Sequence, residues 1–313
     1  MADQTAATGF DRATIRQQRL AMLALLAGAT GIAFAPILVR LSDVGPTAIA
    51  FWRVALATPL LFCLVWWQHK RAKPPQDRTK SLISSQAKPE DILEKPLRQH
   101  WRLLLLCGLM FAGDLAFWHY AVVFTTVANA TLLANLAPIF VALAAWLLFR
   151  DPPNRQIILG MAIAMAGCGV LMSTSLDIGL RHVIGDLLGV ITAMFYAAYQ
   201  LCVSRLRRFL GAVLIMAWSS MITAPFLLVA ALGMGEPIMP TSLYGWVVAL
   251  AMAVISHAAG QTLIAYGFAH LNPTFSSTSL LVQPVMAAIL AWVIFGEALG
   301  PVHIAGGLIV LAG

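Results

Sequence analysis

Two residues of opposite charge, Arg53 and Asp114, stand inside long apolar runs of this 313-residue chain. A charged side chain at mid-bilayer costs roughly 2.5–3.5 kcal/mol on insertion scales, so it needs a partner or a wet cavity. Arg53 lies eight residues past Gly45, about 12 Å along a helix axis at 1.5 Å per residue. Asp114 sits at a comparable distance from the end of its own run, so the two can meet. Such a pair can gate a pathway or recognise the carboxylate and ammonium of a solute. It can equally tie two helices together.

Further polar groups recur at helical spacing. His257 and Gln261 share a face. Thr131 and Asn135 share one just before Pro138, and Ser276, Ser279 and Gln283 share one just before Pro284. Tyr196 and Gln200 share another, with Tyr199 adjacent, and Trp118 adds an indole. Each group can be ordinary interhelical glue. Their recurrence beside both prolines favours a binding surface made of Trp118, Asn135, Tyr196, Tyr199, Gln200, His257, Gln261, Ser279 and Gln283. Asp114, His119 and His257 are the candidates for a proton route, since histidine titrates near pH 6.5. His119 is equally readable as a hydrogen-bonded structural residue. Pro138 and Pro284 each remove a helix hydrogen bond and are expected to act as hinges. The chain has no H-E-x-x-H, no G-x-x-x-x-G-K-[ST] and no G-x-S-x-G, so catalytic residues, metal ligands and cofactors are not expected.

These residues need long apolar helices to position them, and composition supplies them. Sixty per cent of residues are hydrophobic and eleven per cent charged, with mean hydropathy +0.83. Ten spans of bilayer length are expected near 20–41, 45–68, 101–122, 126–149, 155–174, 184–205, 211–233, 243–268, 273–295 and 301–313. An all-α polytopic membrane protein follows. The polar segment 1–19 precedes a run too long for a signal peptide, which reads as a retained anchor. Placing the N-terminus in the cytoplasm puts seventeen of the twenty Lys and Arg on that side, as the positive-inside rule requires. The net charge of +7 therefore reads as topology beside anionic lipid rather than a nucleic-acid site. The basic stretch 70–100 lacks apolar periodicity and reads as a cytoplasmic loop. Cys63, Cys107, Cys168 and Cys202 lie far apart in apolar runs, without metal-ligand spacing.

The chain also repeats itself. A shift of 146 residues lays Tyr120 on Tyr266, Pro138 on Pro284, Trp146 on Trp292, Phe149 on Phe295 and Gly160 on Gly306. A shift of 166 lays Gly45, Trp52 and Pro59 on Gly211, Trp218 and Pro225. Two halves, 20–174 and 184–313, are expected. Five spans per half reverse the sense of the second, giving an inverted repeat with a site near the midplane. Gly160, Ala164, Gly167 and Gly306–Gly307 read as close helix packing.

Pro138, Trp146, Phe149 and Asp151 in one half, with Pro284, Trp292, Phe295, Glu297 and Gly306 in the other, resemble the EamA-type branch of the drug/metabolite transporter superfamily. Asp151-Pro152-Pro153 departs from the usual Glu-bearing turn. The resemblance implies a ten-helix exporter, nearest to the exporters of aromatic and other neutral amino acids. It implies alternating access in a bacterial-type inner membrane by a monomer or weak homo-oligomer, with a small-molecule substrate, lipid around it and no nucleic acid. An intramembrane enzyme, or a lipid or nucleotide-sugar carrier on the same fold, is the alternative.

Overall fold

The structure is a computed structural model that describes residues 2–71, 89–124, 127–150, 152–173, 182–296 and 299–313. Among the described residues the chain is helical, without β-strand. α1 (Ala2–Leu41), α2 (Pro46–Arg71) and α3 (Pro89–Phe124) are followed by α4 (Val127–Ala134) and α5 (Ala137–Phe149). α6 (Arg155–Met172), α7 (His182–Leu206) and α8 (Ala212–Gly233) come next. α9 (Leu243–Ala251) passes through a π-helical segment, Met252–Gln261, into α10 (Thr262–Gly267). α11 (Pro273–Ser279), α12 (Val282–Phe295) and α13 (Pro301–Ala312) complete the described chain. Eight helical stretches are long and apolar enough to cross a membrane, and two shorter apolar helices, α6 and α13, accompany them. Ten spans were expected; eight helices reach membrane-crossing length, and shorter apolar helices stand where the fifth and tenth were expected. Helix also extends where loop was expected: α3 starts at Pro89 rather than after His100, and α1 at Ala2. Most of the basic stretch, along with Asp151 and Glu297, lies outside the described residues.

Both proline-centred spans are broken rather than bent. α4 stops at Ala134 and α5 restarts at Ala137; α11 stops at Ser279 and α12 restarts at Val282. A proline has no N–H to donate, and its ring crowds the carbonyl four residues back. For Pro138 that carbonyl belongs to Ala134, and for Pro284 to Leu280. The ladder fails at those two points. Tighter three-residue bonds bridge each gap, Leu136 N–H to Leu133 O and Leu281 N–H to Thr278 O, both 3.0 Å. The two broken spans also end alike. Arg150 (φ 55°) and Gly296 (φ 68°) close α5 and α12 in the left-handed region, and the 146-residue shift superposes them. Glycine adopts that conformation freely, whereas arginine does so against its preference.

Helix pairing stays the same when the halves are exchanged. α3 lies along α7, as α1 lies along the α9–α10 rod; α2 pairs with α8, and α6 with α13. Small residues permit this closeness. A Cβ added at Gly28 of α1 would stand 2.7 Å from Gly260 O in the π-helical segment. One added at Gly167 of α6 would stand 2.5 Å from Val310 N of α13.

Both ends of the α1 pairing are also tied. At one end Gln17 Nε2 lies 3.1 Å from His270 Nδ1. At the other, two carboxylates cap each other's helices. Glu236, between α8 and α9, accepts from Thr47 N–H (3.3 Å) and Ala48 N–H (2.8 Å) in the first turn of α2. Asp43, between α1 and α2, accepts from the Thr241 and Ser242 amides and hydroxyls at 2.9–3.1 Å, ahead of α9. Negative charge at a helix N-terminus is favourable. Trp52 adds an indole N–H bond of 2.7 Å to Ile238 O. For Asp43, desolvation raises the pKa, but the four donors outweigh it and hold the carboxylate below its ordinary value. A carboxylate depressed on folding stabilises above its unfolded pKa, about 3.9, and loses that contribution as pH falls through the folded value. Asp43→Ala is therefore expected to lower the unfolding temperature at pH 7. Melting curves at descending pH should show the gap between wild type and variant closing below about pH 4.

Candidate functional site

A cavity of about 130 Å³ lies within the bundle. One wall comes from α1 (Ile32, Ala33, Ala35, Pro36), Gln261 at the end of the π-helical segment, and α12 (Gln283, Pro284, Ala287). The facing wall comes from α3 (Asp114, Leu115, Trp118), α4 and the turn after it (Thr131, Ala134, Asn135), and α7 (Thr192, Tyr196). α2 contributes Arg53 alone. Proline places its neighbours here: breaking the helix at Asn135 and Leu281 turns Asn135 and Gln283 toward the same space.

Arg53 and Asp114 are the two buried side chains of full charge among the described residues. Each feels the other electrostatically, although no hydrogen bond or contact ion pair joins them among the described residues. Around them, several polar atoms are shielded and lack a protein partner: Arg53 Nε, Asn135 Nδ2, Gln283 Nε2 and Thr131 Oγ1. Leaving such a group unsatisfied costs about 1–3 kcal/mol. The cavity therefore holds donors and one carboxylate in a form suited to a polar solute or to water. Trp118 and Tyr196 supply its apolar faces, and the Tyr196 phenol lies beside the Gln200 and Gln283 amides.

Behind this wall runs a stack of rings. Tyr196 and Tyr199 centroids are 6.2 Å apart, Tyr199 and Phe111 4.5 Å, and Phe111 and His257 5.4 Å. The Tyr199 hydroxyl lies 3.4 Å from both Met216 Sδ and Gln261 Oε1. His257 Nε2 lies 2.6 Å from Ser220 Oγ, which also donates to Met216 O at 2.6 Å. His119 Nδ1 meets Leu115 O of its own helix at 2.5 Å.

Of the residues singled out from sequence, Arg53, Asp114, Trp118, Asn135, Tyr196, Gln261, Gln283 and Pro284 line the cavity. Tyr199, Gln200 and His257 are buried beyond it, and His119 and Pro138 are likewise buried and not among its lining. Ser279 faces a different cavity, between α1, α6, α11 and α13, and its hydroxyl donates to Phe275 O at 2.9 Å. Sequence reasoning missed Thr192 and the contribution of α1. Pro36, a proline among small residues within a span, was the available signal.

The sequence pattern of the EamA-like transporter family matches residues 19–173 and 183–313. The chain belongs to that family. It is a multi-pass membrane transporter. It is 24% identical over 283 residues to an uncharacterized transporter of Archaeoglobus fulgidus, covering 88% of this chain and 89% of that one. It is 23% identical over 218 residues to the pseudopaline exporter CntI of Pseudomonas aeruginosa, covering 68% and 74%. A crystal structure with 15% identity has the same fold, with a TM-score of 0.72 over 93% of this chain and 94% of the other.

Removing one partner of a buried charge pair is far worse than removing both. Asp114→Asn, which leaves Arg53 buried without its carboxylate, is expected to lower the unfolding temperature, and the double variant Arg53→Met, Asp114→Leu to recover most of the loss without recovering transport. Thermal unfolding in detergent beside a transport assay checks this. Recovery of both would make the pair purely structural.

Proposed function

We propose that this transporter exports small zwitterionic metabolites, neutral and aromatic amino acids foremost, across a bacterial-type inner membrane. The observation that carries this reading is the cavity itself. It encloses one guanidinium for a carboxylate, one carboxylate for an ammonium, amides, and the rings of Trp118 and Tyr196. Its volume of about 130 Å³ is below the 300–1,000 Å³ of typical open ligand pockets. That suits a small solute. The relationship to a pseudopaline exporter supports the direction of transport.

The ten helices form an inverted five-plus-five repeat with the N-terminus in the cytoplasm, and access alternates between the two walls. Support comes from the 146-residue echo, from the matched breaks at Asn135 and Leu281, and from pairings unchanged when the halves exchange. The breaks before Pro138 and Pro284 act as the hinges, since bonds already missing there need not be broken to bend. Asp114 is the one proton-route candidate inside the cavity; His119 and His257 lie off it and serve structure.

Uptake of radiolabelled phenylalanine into proteoliposomes tests the assignment, with aromatic, aliphatic and acidic amino acids as competitors and with or without a pH gradient. Saturable uptake, inhibited by neutral amino acids, is the expected result. Absence of uptake or competition by any amino acid would remove the substrate assignment. Accumulation driven by the gradient and abolished in Asp114→Asn would identify Asp114 as the coupling carboxylate.

A further inference from the structure

A second cavity, about 660 Å³ and almost wholly apolar, runs along the outside of the bundle between α3, α5 and α7. Leu106, Leu143, Leu147 and Met194 form its exposed rim, and buried Ala197 and Cys202 its floor. Along α7 it extends from Arg205 to Met194, eleven residues or about 16 Å. That equals the depth of one leaflet, half of a hydrocarbon core of about 30 Å.

All three helices bring an arginine to the same end of this groove. Arg102 immediately precedes its Leu103, Arg150 follows its Leu148 at the end of α5, and Arg205 itself closes it. In sequence, one acidic residue, Asp151, adjoins these three arginines. Arg150 supplies an independent observation. It holds the left-handed position that its repeat equivalent fills with Gly296. Glycine would relax that turn, so an exposed arginine is kept there against backbone preference.

We propose that this groove is a specific site for an anionic phospholipid, with one acyl chain along α5 and α7 and the phosphate among Arg102, Arg150 and Arg205. Basic pockets between membrane helices bind lipid headgroups in this manner, and the planar guanidinium suits phosphate oxygens. The site is separate from the central cavity: Tyr196 of α7 faces the cavity, whereas Ala197 and Ala198 face the groove.

Native mass spectrometry of the full chain, exchanged into matched phosphatidylglycerol or phosphatidylcholine, tests it. The wild type is expected to retain phosphatidylglycerol in preference to phosphatidylcholine. The triple variant Arg102→Gln, Arg150→Gln, Arg205→Gln should bind phosphatidylglycerol about a hundredfold more weakly. Arg150→Gly alone should lower retention while leaving the unfolding temperature unchanged or higher, which separates lipid binding from loss of fold. Equal retention of the two lipids, or undiminished phosphatidylglycerol retention in the triple variant, would overturn the site and leave only unspecific boundary lipid.

Discussion

The structure depends on keeping one guanidinium and one carboxylate inside an apolar bundle. Lipid offers neither charge a solvent, so Arg53 and Asp114 are tolerated only where each feels the other and the space between stays polar. That requirement sets the cavity's position. It also explains the amides gathered around it, and the shielded donors that no protein group satisfies.

Around this charge pair the frame is nearly symmetric, yet the charges are not. Carrying the 146-residue shift six and nine residues upstream of Tyr120 lays Asp114 on Gly260 and Phe111 on His257. In the first half that position carries the carboxylate at the cavity. In the second it is the glycine that lets α1 approach backbone to backbone. Under the 166-residue shift Arg53 falls on Ser219, which is fully buried and donates to Met216 O. One position thus lines the cavity in one half and packs a helix in the other. The sidedness of the cavity, with Asp114 on the α3 wall and Arg53 beside it, follows from that divergence.

Much of this was legible in the sequence because lipid removes alternatives. Apolar length pointed to the helices, and the proline positions pointed to the two helix breaks. The costly charges pointed to Arg53 and Asp114 before any contact was known. Depth along a helix was readable too, but rotation about its axis was not. Hence Ser279, one residue before its helix breaks, turned to a different cavity, while Gln283, two residues past the break, reached the central one. The π-helical segment Met252–Gln261, against which α1 packs, had no local signature in the sequence. The reciprocal caps of Asp43 and Glu236 join residues almost two hundred positions apart, and no spacing rule reaches that far. The arginines of the outer groove were read as topology determinants. Arg205 lines that groove, and Arg102 and Arg150 lie within two residues of its lining in sequence.

The most direct measurement is substrate exchange in a variant whose cavity is filled. Thr131→Trp places an indole into a space of about 130 Å³, whereas Leu147→Trp places the same ring on the lipid-facing surface. With both variants folded and reconstituted at equal density, exchange of a transported amino acid across proteoliposomes should vanish in Thr131→Trp and persist in Leu147→Trp. Unimpaired exchange with the cavity filled would mean that the substrate travels elsewhere.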